Sequence, residues 1–339
     1  MNIARALDLK LNAFTHRLRR VPVVALMPHS RCNCRCIMCD IWKANREGKS
    51  LAESEVVGLL SDFRSLGVEW VLLSGGEPLM HANLWALCAA LKTLPVRITL
   101  LSTGLLLARH APGIVNYCDD VIVSLDGSEA VHDDIRAIPH AFRQLAEGVG
   151  ALKTSKPLYP VFGRCVLQRR NFADLPNIVA TAKAIGLDRI SFLAADVSST
   201  AFNRPEGWPP DRAAEIALSS EDVERFAAVV EQTLVSRAAD FSSGFIAESP
   251  AHLRRLVAYF RAVNGKGDFP QIACNAPWVS AVIEADGTVR PCFFHAPLGN
   301  IRERSMYEIL NSPDAIAFRR RLDVQQDPIC SRCVCTFKI

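Results

Sequence analysis

From Val21 onward, apolar positions recur in two alternating rhythms. Short apolar runs over residues 21–27, 70–73, 96–101, 121–125, 159–167 and 189–193 read as strands, each stopped by polar or glycine-containing residues. Between them, residues 51–66, 84–94, 111–117, 141–153 and 175–185 space apolar side chains three and four apart, as a helix burying one face does. The βα order repeated over six strands predicts an α/β fold with a parallel sheet and right-handed crossovers. Six units predict a partial (β/α)6 TIM-like barrel, with its chemistry at the C-terminal ends of the strands.

The rhythm stops after Ala194. Residues 196–210 are rich in Ser, Pro, Asn and Gly around Trp208 and read as a long loop. Helical spacing returns over 220–237 and 250–263, and a second cysteine-bearing region begins at Cys274. The pattern divides the chain into an N-terminal helical extension (1–20), a partial barrel (21–195), a loop with linker helices (196–265) and a small C-terminal cysteine-bearing domain (266–339).

With 339 residues at 50% hydrophobic content, the chain can bury one large core or two smaller ones. Its net charge of +4 is mild, and the clusters Arg17, Arg19, Arg20 and Arg319, Arg320, Arg321 lack interleaved aromatics. They read as solvated helix surface, and no nucleic-acid partner is expected. No apolar run approaches the roughly 20 residues of a membrane span, and the first 20 residues are interrupted by charges unlike a signal peptide. A cytoplasmic protein without a membrane partner is expected. Twelve cysteines in a reducing compartment point to metal or catalysis rather than disulfides.

Cys32, Cys36 and Cys39 stand at C-x3-C-x2-C spacing directly after the first strand. A closed zinc site needs four protein ligands. Three thiolates instead suit an iron–sulfur cube with one iron left open to a small molecule. Cys34 lies off that spacing and reads as a non-ligand. At the end of the second strand, Ser74, Gly75, Gly76, Glu77 and Pro78 form a turn where the backbone can be approached closely and a carboxylate is at hand. Alone, this is a strand-to-helix turn with Glu77 placed favourably for the helix dipole.

In this order and on these elements, the residues resemble the radical S-adenosylmethionine (SAM) superfamily, in its SPASM and twitch branch. The resemblance implies a 4Fe-4S cluster on Cys32, Cys36 and Cys39 that chelates SAM. It implies SAM contacts at Gly75, Gly76 and Glu77 to the amino group, Ser102 and Thr103 near the ribose, and Ser124 near the carboxylate. Ser124 to Gly127, with His132, Asp133 and Arg136, are similar to the SLDG and HDxxR segments of that branch, and Asp126 with Arg136 equally suits a structural ion pair. Relatives commonly place an aromatic residue after the third cysteine, where this chain has Asp40, with Trp42 two places on.

Cys274, Gly287, Cys292 and the pair Cys330-x2-Cys333 resemble the first half of a SPASM domain, and only Cys335 follows before Ile339. A shortened, twitch-like domain with one auxiliary 4Fe-4S cluster on Cys274, Cys292, Cys330 and Cys333 is implied. Cys335 competes with Cys330 or Cys333, and four cysteines in two halves also suit structural zinc. Cys88, Cys118 and Cys165 lie on apolar segments and read as core.

The resemblance implies reductive cleavage of SAM to a 5′-deoxyadenosyl radical that abstracts a hydrogen atom, with electrons from a flavodoxin- or ferredoxin-type protein. The short N-terminal extension favours a small-molecule substrate, oxidised by two electrons with the auxiliary cluster as acceptor. The alternatives are a radical maturase of a peptide or protein, a molybdopterin-precursor-like cyclase, which the spacing of the C-terminal cysteines disfavours, and a non-catalytic iron–sulfur or zinc protein. Residues 196–210, with Asp196, Asn203, Arg204 and Trp208, read either as a substrate lid or as a linker.

Overall fold

Strand β1 (Val23–His29) begins one residue after Pro22, which has no N–H to give to a ladder. The Pro22 carbonyl accepts from Glu69 and Trp70 and so aligns the next strand. β2 (Trp70–Gly75), β3 (Arg97–Ser102), β4 (Asp120–Ser124), β5 (Val161–Leu167) and β6 (Arg189–Ala194) follow in sequence order, all parallel. This is the six-stranded partial barrel. The computed structural model describes residues 3–339.

The C-terminal region extends the same sheet. β7 (Ser280–Ile283) runs parallel to β1 on its free side, pairing Val23 with Ser280 and Leu26 with Ile283. β8 (Thr288–Arg290) and β9 (Gly299–Asn300) then add antiparallel neighbours, giving the nine-strand order β6-β5-β4-β3-β2-β1-β7-β8-β9. β1 therefore has no open edge, which suits a strand this apolar.

Alternation along the strands separates two faces. On β5, Val161, Gly163, Cys165 and Leu167 are buried, and all but the glycine belong to the main core; Phe162, Arg164 and Val166 are only half-buried on the other face. Val166 packs with the residues around Cys36, so this second face is the barrel lumen. Cys88, Cys118 and Cys165 are buried in the main core.

Several short helices fall outside the apolar pattern, two of them against the cysteine loop. Glu129–Arg136 is short and strongly polar on one side, and Pro210–Ile216 starts where the loop was expected to end. The C-terminal arginines are not all solvated either. Arg319 is fully buried and donates to the carbonyls of His16 (2.8 Å) and Leu310 (2.5 Å), tying helix Pro313–Arg321 to the N-terminal segment. Arg20 pairs with Glu69 at 2.5 Å. Among the described residues, no helix is long and apolar enough to cross a membrane.

Candidate active site

The loop after β1 is clamped along its length by backbone hydrogen bonds. Gly76 N–H donates to the His29 carbonyl (3.2 Å) and Glu77 N–H to the Arg31 carbonyl (2.8 Å). A Cβ on Gly76 would lie 2.1 Å from the Arg31 carbonyl oxygen and 2.7 Å from that of Ser30. The glycine is required because one backbone crosses another. Gly75, at φ +108°, holds the turn that brings the crossing about.

Further along, Asn45 brackets Cys32 with two 2.9 Å bonds, accepting from its N–H and donating to its carbonyl. Arg35 and Ile37 donate their N–H groups to the carbonyls of Arg136 and Ile135 at the end of helix Glu129–Arg136. Cys32, Cys36 and Cys39 are thereby held on one loop as free thiols, with Cys34 fully buried beside them.

Arg136 supplies the charge. Its Nη1 donates to Cys36 Sγ at 3.4 Å, and its Nη2 forms a buried ion pair with Asp126. Asp126 in turn accepts from Val166 N–H at 2.9 Å, while its own N–H donates to Nδ1 of the fully buried His132 at 3.1 Å. The structural ion pair weighed from the sequence is present, and it also reaches a cysteine of the motif. A hydrogen bond from the Cys34 thiol, together with the Arg136 charge, lowers the Cys36 thiol against the opposing effect of burial. Burial pushes Cys32 up to about 12 and Cys39 up to about 11, so a metal centre must displace protons from both. Three thiols on a pinned loop beside a guanidinium fit an anionic cluster.

Glu77, Ser102 and Thr103 form one network. The fully buried Glu77 carboxylate accepts from Thr103 N–H (2.7 Å), Ser102 Oγ (3.1 Å to each oxygen) and Leu79 N–H (3.1 Å). Burial nonetheless raises it above the ordinary carboxylate range. Its carboxylate joins the end of β2 to the end of β3, and Thr103 Oγ1 continues the chain to Asn33 Oδ1 of the cysteine loop at 3.0 Å. Ser124 closes β4 opposite Arg164 of β5, half-buried.

Asp196, Arg204 and Trp208 of the 196–210 segment turn toward the protein, while Ser198, Thr200, Asn203 and Glu206 stay exposed. Arg204 is 3% exposed and donates to the Met38 carbonyl (2.6 Å) and to the Asp196 carbonyl (2.9 Å), its guanidinium 3.5 Å from the centre of the Trp208 ring. Trp208 Nε1 donates to Asp40 Oδ2, and Asn203 Nδ2 to the Asp40 carbonyl. Phe202 and Asn203 both sit in the left-handed region, at φ 60° and 63°, an unfavourable conformation for a phenylalanine. That turn aims Phe202 at Phe293, with ring centres 4.8 Å apart. The segment is a docked cover.

Beneath Phe202 lies an apolar cavity of about 370 Å³. Ala25, Met27, Ser74, Gly75 and Leu101 of β1 to β3 line one side, and Cys274, Cys292, Cys330, Cys333 and Cys335 line the other. Five thiols on one cavity fit a cubane, which takes four. Cys333 Sγ accepts the Cys335 N–H at 3.4 Å, and Cys330 Sγ lies 3.2 Å from Nε2 of His295, a residue the sequence reading missed. Burial holds the His295 ring below the ordinary imidazole range. A second cavity of about 400 Å³ shares Met27, Ile41, Gly75, Phe202, Phe293 and Phe294 and adds His29, Lys49, Asp286 and Arg290 at its rim.

A family model for the radical SAM superfamily matches residues 26–182, and one for the SPASM iron–sulfur cluster-binding domain matches residues 274–334. The chain carries a radical SAM domain followed by a SPASM domain. Its radical SAM domain implies SAM and a 4Fe-4S cluster, and its SPASM domain implies auxiliary iron–sulfur chemistry. A pre-heme d1 synthase of Dinoroseobacter shibae is 25% identical over 92% of this chain and 78% of its own length. A GTP 3′,8-cyclase of Pseudomonas fluorescens is 27% identical over 52% of this chain and 54% of its own. In fold, the chain is similar to Streptococcus suis SuiB bound to its precursor peptide SuiA, at TM-score 0.67 and 15% identity, covering 98% of this chain and 75% of that one.

Proposed function

We propose that this radical SAM protein removes a hydrogen atom from a small molecule held in the apolar cavity and passes the second electron to the auxiliary cluster, with a tetrapyrrole as the substrate class. One observation carries the reading. Ser74 and Gly75 at the end of β2 and the five C-terminal cysteines line one cavity, so a substrate bound at its strand-end side stands next to the auxiliary cluster. Cys32, Cys36 and Cys39 would hold the first cluster, and four of Cys274, Cys292, Cys330, Cys333 and Cys335 the auxiliary one. When bound, SAM on the first cluster supplies a 5′-deoxyadenosyl radical and the auxiliary cluster an acceptor for one electron.

The chain's own residues do the rest. Arg136 neutralises charge beside Cys36, Phe202 with Phe293 and Phe294 closes the cavity mouth against water, and Arg290 and Lys49 stand at the polar rim, paired with Glu284 and Asp286. Each of the two cavities falls in the usual range for a bound small molecule, roughly 300–1,000 Å³. An apolar chamber with a charged rim suits a flat macrocycle bearing carboxylates. Coverage supports the same class, since the pre-heme d1 synthase is matched over nearly the whole chain and the GTP cyclase over half.

The test is anaerobic incubation of the reconstituted protein with SAM, a flavodoxin or dithionite, and a panel of carboxylated tetrapyrroles, GTP and short cysteine-containing peptides. A tetrapyrrole should raise 5′-deoxyadenosine formation above the substrate-free rate and lose two electrons. Stimulation by GTP or a peptide alone would overturn the substrate class, and no 5′-deoxyadenosine under any condition would return the chain to a non-catalytic iron–sulfur role.

A further inference from the structure

His295 sits on the short segment that follows β8 and Cys292, 4% exposed, with its ring edge-on to Phe318 at 5.0 Å between centres. Its carbonyl accepts from Arg290 Nη1 at 3.0 Å, so both backbone and ring are held. Nε2 lies 3.2 Å from Cys330 Sγ. The nearest carboxylate oxygen, Asp327 Oδ1, is 3.9 Å away, beyond hydrogen-bond reach, and already accepts the N–H groups of Ile329 (3.0 Å) and Cys330 (2.9 Å). A cysteine that ligates iron is a thiolate and can only accept, so the nitrogen facing it carries the proton.

We propose that His295 is a positioning residue of the auxiliary cluster, donating Nε2–H to Cys330 Sγ and thereby raising the potential at which that cluster takes up an electron. This rests on the reading of the C-terminal cysteines as an electron-accepting cluster. A donor on a ligand sulfur draws charge from it, and reduction adds one negative charge to the cluster, so the bond strengthens in the reduced state. The donor side of the bond is buried, where such an interaction acts more strongly than at a surface. Asp327 supports the arrangement by fixing the turn that carries Cys330. The device makes the auxiliary cluster a better acceptor for an electron leaving a substrate radical.

The experiment uses the full chain with Cys32, Cys36 and Cys39 replaced by Ala, so that only the auxiliary cluster is present, and reads its reduction potential by potentiometric titration followed by electron paramagnetic resonance. His295→Phe and His295→Leu remove the donor with two different shapes, and His295→Gln keeps an N–H. The expected result is unchanged iron in all three, a potential shifted downward in the Phe and Leu variants, and one near the parent in the Gln variant. Equal potentials throughout would overturn the proposal. So would loss of iron in all three, which would make His295 a ligand. Neither SAM nor substrate enters the measurement, so a wrong substrate class would leave its outcome untouched.

Discussion

Trp208 donates its indole N–H to Asp40 Oδ2 at 2.7 Å, joining the segment after β6 to the residue that follows Cys39. An aromatic ring is thus delivered to Asp40 from a distant part of the chain. Arg204 completes the tie, since its guanidinium spans Met38, Asp196 and the face of Trp208. The cover over the cavity and the cysteine loop beneath it are therefore one mechanical unit.

That unity changes what loss of the cover does. Arg204→Met should unpair the buried Asp196 carboxylate and free the Met38 carbonyl, at a cost of about 3–5 kcal/mol for breaking a buried charge pair. The loosened loop should shed its cluster, so iron analysis after desalting should show about half the parent content. Full iron with normal SAM cleavage would separate the cover from the cysteine loop.

Gly76→Val should also empty the first cluster site. The added Cβ would fall 2.1 Å from the Arg31 carbonyl oxygen, and backbone must move to relieve it. The expected outcome is about four irons instead of about eight, with the auxiliary cluster still visible by electron paramagnetic resonance. Two intact clusters with weakened SAM binding would instead place a ligand against Gly76.

The five C-terminal thiols can be sorted by substitution. Because Cys335 gives its N–H to Cys333 Sγ, the pattern common at ligand thiolates, Cys333→Ser should lose the auxiliary cluster and Cys335→Ser should keep it. Iron and sulfide content of the two variants decides the matter, and the reverse result would exchange their roles.

His132 predicts an acid-labile turn. Burial and the Arg136 charge lower its ring to about 3, well below the ordinary value of roughly 6.5. The unfolded chain then binds more protons below about 6.5, so the contribution of His132 is fully present above that pH and is lost as pH falls toward 3. Protonated Nδ1 can no longer accept from Asp126 N–H. Denaturant unfolding between pH 7.5 and 5.5 should show a stability slope approaching about 1.4 kcal/mol per pH unit at the acid end. His132→Gln, which keeps an acceptor but no titration, should flatten it.

The period of apolar residues was enough to place all six barrel strands, because each strand is buried on at least one face and its neighbours are consecutive in the chain. The cysteine spacing and the glycine pair were legible for the same reason: each is a local device whose residues lie close together in sequence. What Gly76 makes room for was not legible, since the Arg31 backbone meets it only when two strand ends are brought side by side. Nor was the continuation of the sheet from β1 to β7, because a parallel pairing across such a separation leaves no local signature. The 196–210 segment read as polar and loop-like, which it is. Only the tertiary structure turned its Arg204 and Trp208 inward, onto the Met38 carbonyl and the Asp40 carboxylate of the cysteine loop, acceptors that a buried surface must satisfy. His295 carries no motif at all, and its place beside Cys330 exists only in the folded chain, which brings a buried ring nitrogen to a sulfur 35 residues away in sequence.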